Sequence, residues 1–252
     1  MSTMNRRAFL KFTGVVALCA CTREQPAPAV LDAGAPQAAP AAQATTRLQV
    51  DVWHDMSCPW CRIGLHNLGQ VLSAWSGPPV TLLLHPFLLE PGAPAEGTDL
   101  RAMLTAKYGN VSVDQIFSRV TQMGTQYGVR FNWEKVRVSP QTAAAHALLA
   151  AAPLERQRAL LESLHRAYFE QGLNIGDVQV LASASEEAGL TAEFARSIAT
   201  DPKRLSDVRA QAAWASSSGV RGVPYFQIGG QTLQGARSPD ELRAALQVLA
   251  RR

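Results

Sequence analysis

The sequence predicts an α/β fold, with a central mixed β-sheet flanked by helices and interrupted by a large helical insertion. Three observations predict it. Two apolar runs of strand length, residues 48–53 and 80–87, bracket a helical segment, which makes a βαβ unit and a parallel strand pair. Residues from about 98 to 200 carry apolar side chains at three- and four-residue spacing, broken by Gly, Pro and Asn. Near the end, Tyr225-Phe226-Gln227-Ile228 and Gln231-Thr232-Leu233 flank Gly229-Gly230, a pair that accepts positive φ, and so read as a hairpin before a last helix.

In chain order, residues 1–20 read as a signal peptide. Asn5-Arg6-Arg7-Ala8-Phe9-Leu10-Lys11 resembles a twin-arginine motif. The uncharged stretch 12–21 is shorter than the roughly 20 residues that span a bilayer but suits a signal-peptide apolar region. An ordinary Sec signal or a short N-terminal helix are the alternatives. Leu18-Cys19-Ala20-Cys21 resembles a lipobox, with cleavage before Cys21 and lipid on its thiol. Residues 21–46, rich in Ala, Pro and Gln, then form a lipidated tether with too little apolar bulk to fold. The expected site of action is the periplasmic side of the cell envelope, lipid-anchored after export.

The folded unit is expected at 47–252, with no internal repeat. The hydrophobic fraction of 47% and charged fraction of 17% suit a globular chain with a sizeable core. Of 24 basic residues Arg6, Arg7 and Lys11 leave with the signal, so 21 face 20 acidic ones, and a net +1 gives no case for nucleic-acid binding. Cys19 leaves and Cys21 becomes the anchor. Cys58 and Cys61 remain, so no structural disulfide framework exists.

Residues 48–53 form the first strand. Cys58-Pro59-Trp60-Cys61 follows it and opens a helix over 62–73, with Pro59 at the first helical position, where its missing N–H costs nothing. Two thiols at this spacing close a small disulfide, and the first lies where the helix dipole favours a thiolate. Zinc sites share the spacing but usually need a second Cys or His pair, and no second Cys pair exists. Residues 80–87 read as a buried strand. Helices are expected at 98–109, 112–128, 140–152, 154–171, 177–188, 191–199 and 205–217. Asp177 suits an N-cap, and Ser238 caps the last helix.

The order βαβ, helical block, α, ββ, α is that of a thioredoxin fold with an insertion at about 98–200. Residues 48–252 resemble the DsbA-like thioredoxin family, especially its FrnE-like branch, related to 2-hydroxychromene-2-carboxylate isomerases and kappa glutathione transferases. The resemblance rests on Asp55-Met56-Ser57-Cys58-Pro59-Trp60-Cys61 with Ile63-Gly64, and on His85-Pro86-Phe87 with Pro91. Further on it rests on Ala167-Tyr168-Phe169-Glu170, Asn174-Ile175-Gly176-Asp177 and Gly219-Val220-Arg221-Gly222-Val223-Pro224-Tyr225-Phe226.

The resemblance implies a thiol–disulfide oxidoreductase acting on protein thiols and renewed by a membrane or soluble redox partner. It implies no cofactor beyond the redox-active Cys58–Cys61 disulfide and no metal. Cys58 is the expected nucleophile, more exposed and more acidic, and Cys61 resolves the mixed disulfide. Pro224 is by resemblance a cis-proline facing the dithiol, and Val223 docks an extended substrate. Trp60 and Tyr225 are expected as an aromatic rim contacting substrate. The chain departs from the pattern in one respect: many thioredoxin-like proteins carry a buried acid six residues before the nucleophile, where this chain has Val52. His54 and Asp55 are the candidate proton acceptors for Cys61, beside the plainer reading of an Asp that caps the loop and a half-exposed His. His66, His85, His146 and His165 lack ligand spacing and read as surface or satisfied core histidines. A substrate contact at Gly235-Ala236-Arg237 is a further expectation.

Two other functions stay open. One is glutathione-dependent isomerisation or transfer, against which the retention of both cysteines argues. The other is a non-catalytic, chaperone-like binding lipoprotein. The direction of exchange is open as well.

Overall fold

The computed structural model describes residues 47–251. The signal, the tether and Cys21 lie outside the described residues. In chain order the elements are β1 (Leu48–His54), α1 (Pro59–Ser73), β2 (Val80–Pro86), β3 (Thr98–Asp99), α2 (Leu100–Tyr108), α3 (Val113–Gln126) and β4 (Val138–Ser139). They continue as α4 (Ala143–Ala151), α5 (Leu154–Phe169), α6 (Val178–Glu187), α7 (Ala192–Ala199), α8 (Pro202–Ser217), β5 (Tyr225–Ile228), β6 (Gln231–Gln234) and α9 (Pro239–Ala250).

The main sheet has the order β2-β1-β5-β6. β1 pairs in parallel with β2 and antiparallel with β5, and β5–β6 is the hairpin. Alternation sorts the side chains of β1. Val50 and Val52 stand opposite Ile228 and Phe226 and are buried in the main core with Leu65 and Leu68 of α1 and Leu242 and Leu246 of α9. Trp53, in register with Tyr225, points to the other face and packs on Ala215 and Val220 around the end of α8. The chain thus folds as the thioredoxin-type α/β sheet with a helical insertion that its pattern predicts.

Two expectations need correction. Residues 80–87 are not a buried strand: every side chain of β2 before Pro86 is half-buried. Its apolar run misleads because β2 is an edge strand with one neighbour, β1. The sequence also gives no sign of the β3–β4 ribbon, which pairs Thr98 with Ser139 and Asp99 with Val138. Two residues per strand cannot display a period of two.

Helix ends follow local chemistry. Asp177 caps α6 by accepting from Gln179 N at 2.7 Å, and Ser238 with Glu241 closes a capping box on α9. α8 begins at Pro202, three residues earlier than its apolar spacing suggests, because Asp201 caps it and proline suits the first turn.

Candidate active site

Cys58 is the N-cap residue of α1. Its own N–H bonds to Asp55 O at 3.1 Å, and its carbonyl accepts the first helical bond from Arg62 N at 3.1 Å. Pro59 has no N–H to offer, and the Cys58 side chain accepts no capping hydrogen bond from the first turn. Both cysteines are free thiols; Cys58 keeps 4% exposure and Cys61 none. The expected difference in access is therefore slight. Burial pushes the Cys61 thiol well above its usual range; the hydrogen bond and charge of Cys58 add to this, and the Asp55 backbone opposes it.

The loop before β5 closes over this dithiol. The Val223–Pro224 peptide is cis, and the Cys58 thiol donates to the Val223 carbonyl at 3.7 Å. Gly64 makes the approach possible: a Cβ there would sit 3.0 Å from Pro224 Cγ and 3.1 Å from Phe226 Cζ. Gly235 N donates to Pro224 O at 2.9 Å, and Asn67, fully buried on α1, donates to Arg237 O at 2.8 Å. Gly235-Ala236-Arg237 thus acts as a strut between α1 and the proline loop.

Asp55 shapes the other side of the site. Its Oδ1 accepts from Ser57 N (2.8 Å) and Ser57 Oγ (3.0 Å), and its Oδ2 accepts from Leu89 N (2.7 Å). It caps the active-site loop and ties it to the end of β2.

Residues 49–247 match the family profile of the DSBA-like thioredoxin domain. The chain belongs to that family. DSBA-like proteins are in general thiol–disulfide oxidoreductases, and the family also includes isomerases and transferases. Among curated proteins the chain is similar to the uncharacterized protein YwbO of Bacillus subtilis, at 25% identity over 79% of this chain and 96% of YwbO. Among solved structures it resembles a probable DsbA oxidoreductase, SCO1869 from Streptomyces coelicolor. The TM-score is 0.69 and the identity 29%, over 80% of this chain and 89% of that one. The cytosolic disulfide reductase DsbM from Pseudomonas aeruginosa shares the fold, with a TM-score of 0.56 and 22% identity over 81% and 99% of the two chains.

On this DSBA-like scaffold the two expected aromatics part company. Trp60 is half-buried against Ile63, Val120 and Val129, so it faces α3 of the insertion. Tyr225 packs edge-on against Trp53, ring centroids 5.5 Å apart, in a different cluster. They form no common rim, because strand alternation sends Phe226 and not Tyr225 towards α1.

Three of the histidines also depart from expectation. His66 pairs with Gln70 on α1, and His85 bonds Asp51 at 2.7 Å while stacking on Trp53. His54, expected half-exposed, is fully buried, and His146 and His165 are buried beside it without satisfying all their nitrogens. A second group that sequence reasoning missed is Arg62. It is buried in α1 next to Cys61, pairs with Glu170 at the end of α5, and lies over the Phe131 and Phe169 rings. The one available signal was a charge directly after Cys61 on an otherwise apolar turn.

Burial lowers the His54 and His146 pKa values and takes His165 down to about 3, helped by the nearby Arg62 charge. Between the ordinary 6.5 and about 3, the unfolded chain binds a proton at His165 that the folded chain refuses. Stability is therefore expected to fall as pH drops through that window and to be unaffected by this group above it. Urea midpoints measured from pH 7.5 downwards, at about half-unit steps, should decline less steeply in His165→Leu than in the wild type. Equal slopes would contradict the assignment.

Proposed function

We propose that this protein is a thiol–disulfide oxidoreductase of the cell envelope, of the FrnE-like branch, exchanging disulfides with protein thiols through Cys58-Pro59-Trp60-Cys61. The observation that carries the reading is the Cys58 sulfur at a helix start, under the carbonyl of Val223 and one turn from a buried second thiol. The likeness to SCO1869 supports it.

In the oxidising direction, a substrate thiolate attacks Cys58 Sγ of the Cys58–Cys61 disulfide, and Cys61 leaves as a thiolate that takes up a proton. A second substrate thiolate then attacks the substrate sulfur of the mixed disulfide and expels Cys58 as a thiolate. Two electrons pass to the pair, and a redox partner removes them. The reducing direction runs the same steps backwards. Val223 offers its backbone to an extended substrate strand. Trp60 and Tyr225 contact substrate from separate patches. In this reading the redox-active Cys58–Cys61 pair is the whole of the electron-carrying machinery.

The test is equilibration of the purified protein in glutathione redox buffers, together with insulin reduction. The expected outcome is a Cys58–Cys61 couple poised between about −270 and −120 mV, with insulin turnover. A pair that neither titrates nor turns over insulin would point to the binding lipoprotein instead.

Export by the Arg6-Arg7 signal and lipid on Cys21 place the domain at the membrane surface in this proposal. Cys21→Ser is expected to move the protein from the membrane to the soluble fraction, read by fractionation and mass spectrometry of the N-terminal peptide. An unlipidated wild type retaining Ala20 would overturn the anchor.

A further inference from the structure

His54, His146 and His165 come from three elements, β1, α4 and α5, and His54 directly precedes Asp55, whose backbone is hydrogen-bonded to the Cys61 thiol. All three are buried, His54 completely. The His54 and His146 ring centroids lie 4.9 Å apart. Among the described residues, both ring nitrogens of His54 and the Nε2 atoms of His146 and His165 have no protein partner. The end of β2 ties the group to the active-site loop: Phe87 N donates to His54 O at 2.9 Å, and Phe87 is also hydrogen-bonded by the His146 ring. Asp55, whose carboxylate holds the loop, acts electrostatically on both Cys61 and His146. At the far side, His165 lines a groove of about 620 Å³ between α1, β2 and α5, with His66, Leu82 and Arg158 among its walls.

Apolar side chains of the same shape would fill this space without stranding polar atoms, which is often neutral or stabilising. Buried polar groups in native proteins are paired with protein or ordered water, and unpaired ones ask for a functional reason. Resting on the oxidoreductase reading, we propose that His54, His146 and His165 form a buried imidazole row, bridged by ordered water, that carries the proton exchanged by Cys61 to and from the groove beside His165.

The balance is simple. When Cys61 attacks the Cys58 mixed disulfide, its S–H bond breaks, a Cys58–Cys61 bond forms, and the departing thiolate carries the negative charge. The proton passes to one nitrogen of a neutral imidazole while the other nitrogen releases its own. No net charge stays in the core. Burial keeps the three rings neutral at neutral pH, as this exchange requires. The charged and titratable groups acting on the row are Asp55 on His146, Arg62 on His165, and His85 on His54. The row takes the place of the buried acid that Val52 lacks. His146 and His165 act through Cys61 and are positioning residues for its proton.

The reduced protein mixed with dipyridyl disulfide in stopped flow separates the steps. Attack by Cys58 releases one pyridinethione and resolution by Cys61 releases a second, so absorbance reads each thiol in turn. In His54→Leu the second release is expected to slow about tenfold or more and to become proportional to hydroxide concentration. The first release should be unchanged, and thermal stability equal or higher. His146→Gln, which keeps a hydrogen bond to Phe87 but cannot shuttle a proton, should slow the second release in the same way. A second release within about twofold of wild type in both variants would overturn the relay. So would a loss of both releases together with stability, which marks a structural role. A first release no faster than that of a simple thiol would instead count against the oxidoreductase reading itself.

Discussion

Cys58→Ser is expected to abolish disulfide exchange, while Cys61→Ser is expected to accumulate mixed disulfides with substrate proteins. The asymmetry follows from geometry. Cys58 sits at the N-cap with its sulfur against Val223 O, in the loop that closes over the site, whereas Cys61 lies three residues further into α1. Without Cys58 no sulfur is placed for attack from outside, so the residual rate should approach that of uncatalysed exchange. Without Cys61 the first attack proceeds, but nothing within reach resolves the intermediate. Non-reducing gels after acid quench, with mass spectrometry of the trapped partners, read the result. The roles are wrong if Cys58→Ser keeps insulin-reducing activity while Cys61→Ser traps nothing.

The second large effect concerns the ion pair behind the site. Glu170→Ala is expected to destabilise the domain by about 3 kcal/mol, the lower part of the range for breaking a buried pair from one side. Arg62 stays buried among Phe131, Phe169 and the His165 carbonyl, which its Nη1 contacts at 3.3 Å, and has lost its close carboxylate. Glu170 itself is 23% exposed, which keeps the estimate modest. Arg130 also reaches Glu170, at 3.4 Å, but is largely exposed and adds little. Replacing both partners, Arg62→Met with Glu170→Met, should recover much of the loss, because an apolar pair leaves no uncompensated charge. Urea unfolding of the three variants tests this, and a loss under about 1 kcal/mol in Glu170→Ala would show that water reaches Arg62. Since Arg62 follows Cys61 and Glu170 ends α5, the pair fixes the active-site helix against the insertion.

Local chemistry made much of this protein legible. The β1–α1–β2 unit, the insertion helices, the hairpin at Gly229-Gly230 and the Asp177 and Ser238 caps each rest on residues near in sequence. So does Cys58 at a helix start, because Pro59 and the apolar run before it mark that junction. The sequence by itself determined the fold class, the order of the helices and of the main-sheet strands, and the dithiol.

Tertiary structure decided what those elements face. Only the sheet order makes β2 an edge strand, and only pleating parts Tyr225 from Trp60. The Cys58–Val223 contact closes 165 residues of separation, Arg62 finds Glu170 108 residues away, and His54 meets His146 across α1, β2 and nearly half of the insertion. Periodicity and capping are short-range signals that decay over a few residues. Contacts at such separations are set by how whole helices and strands pack, and a single isolated His or Arg carries no mark of the partner that packing will bring to it.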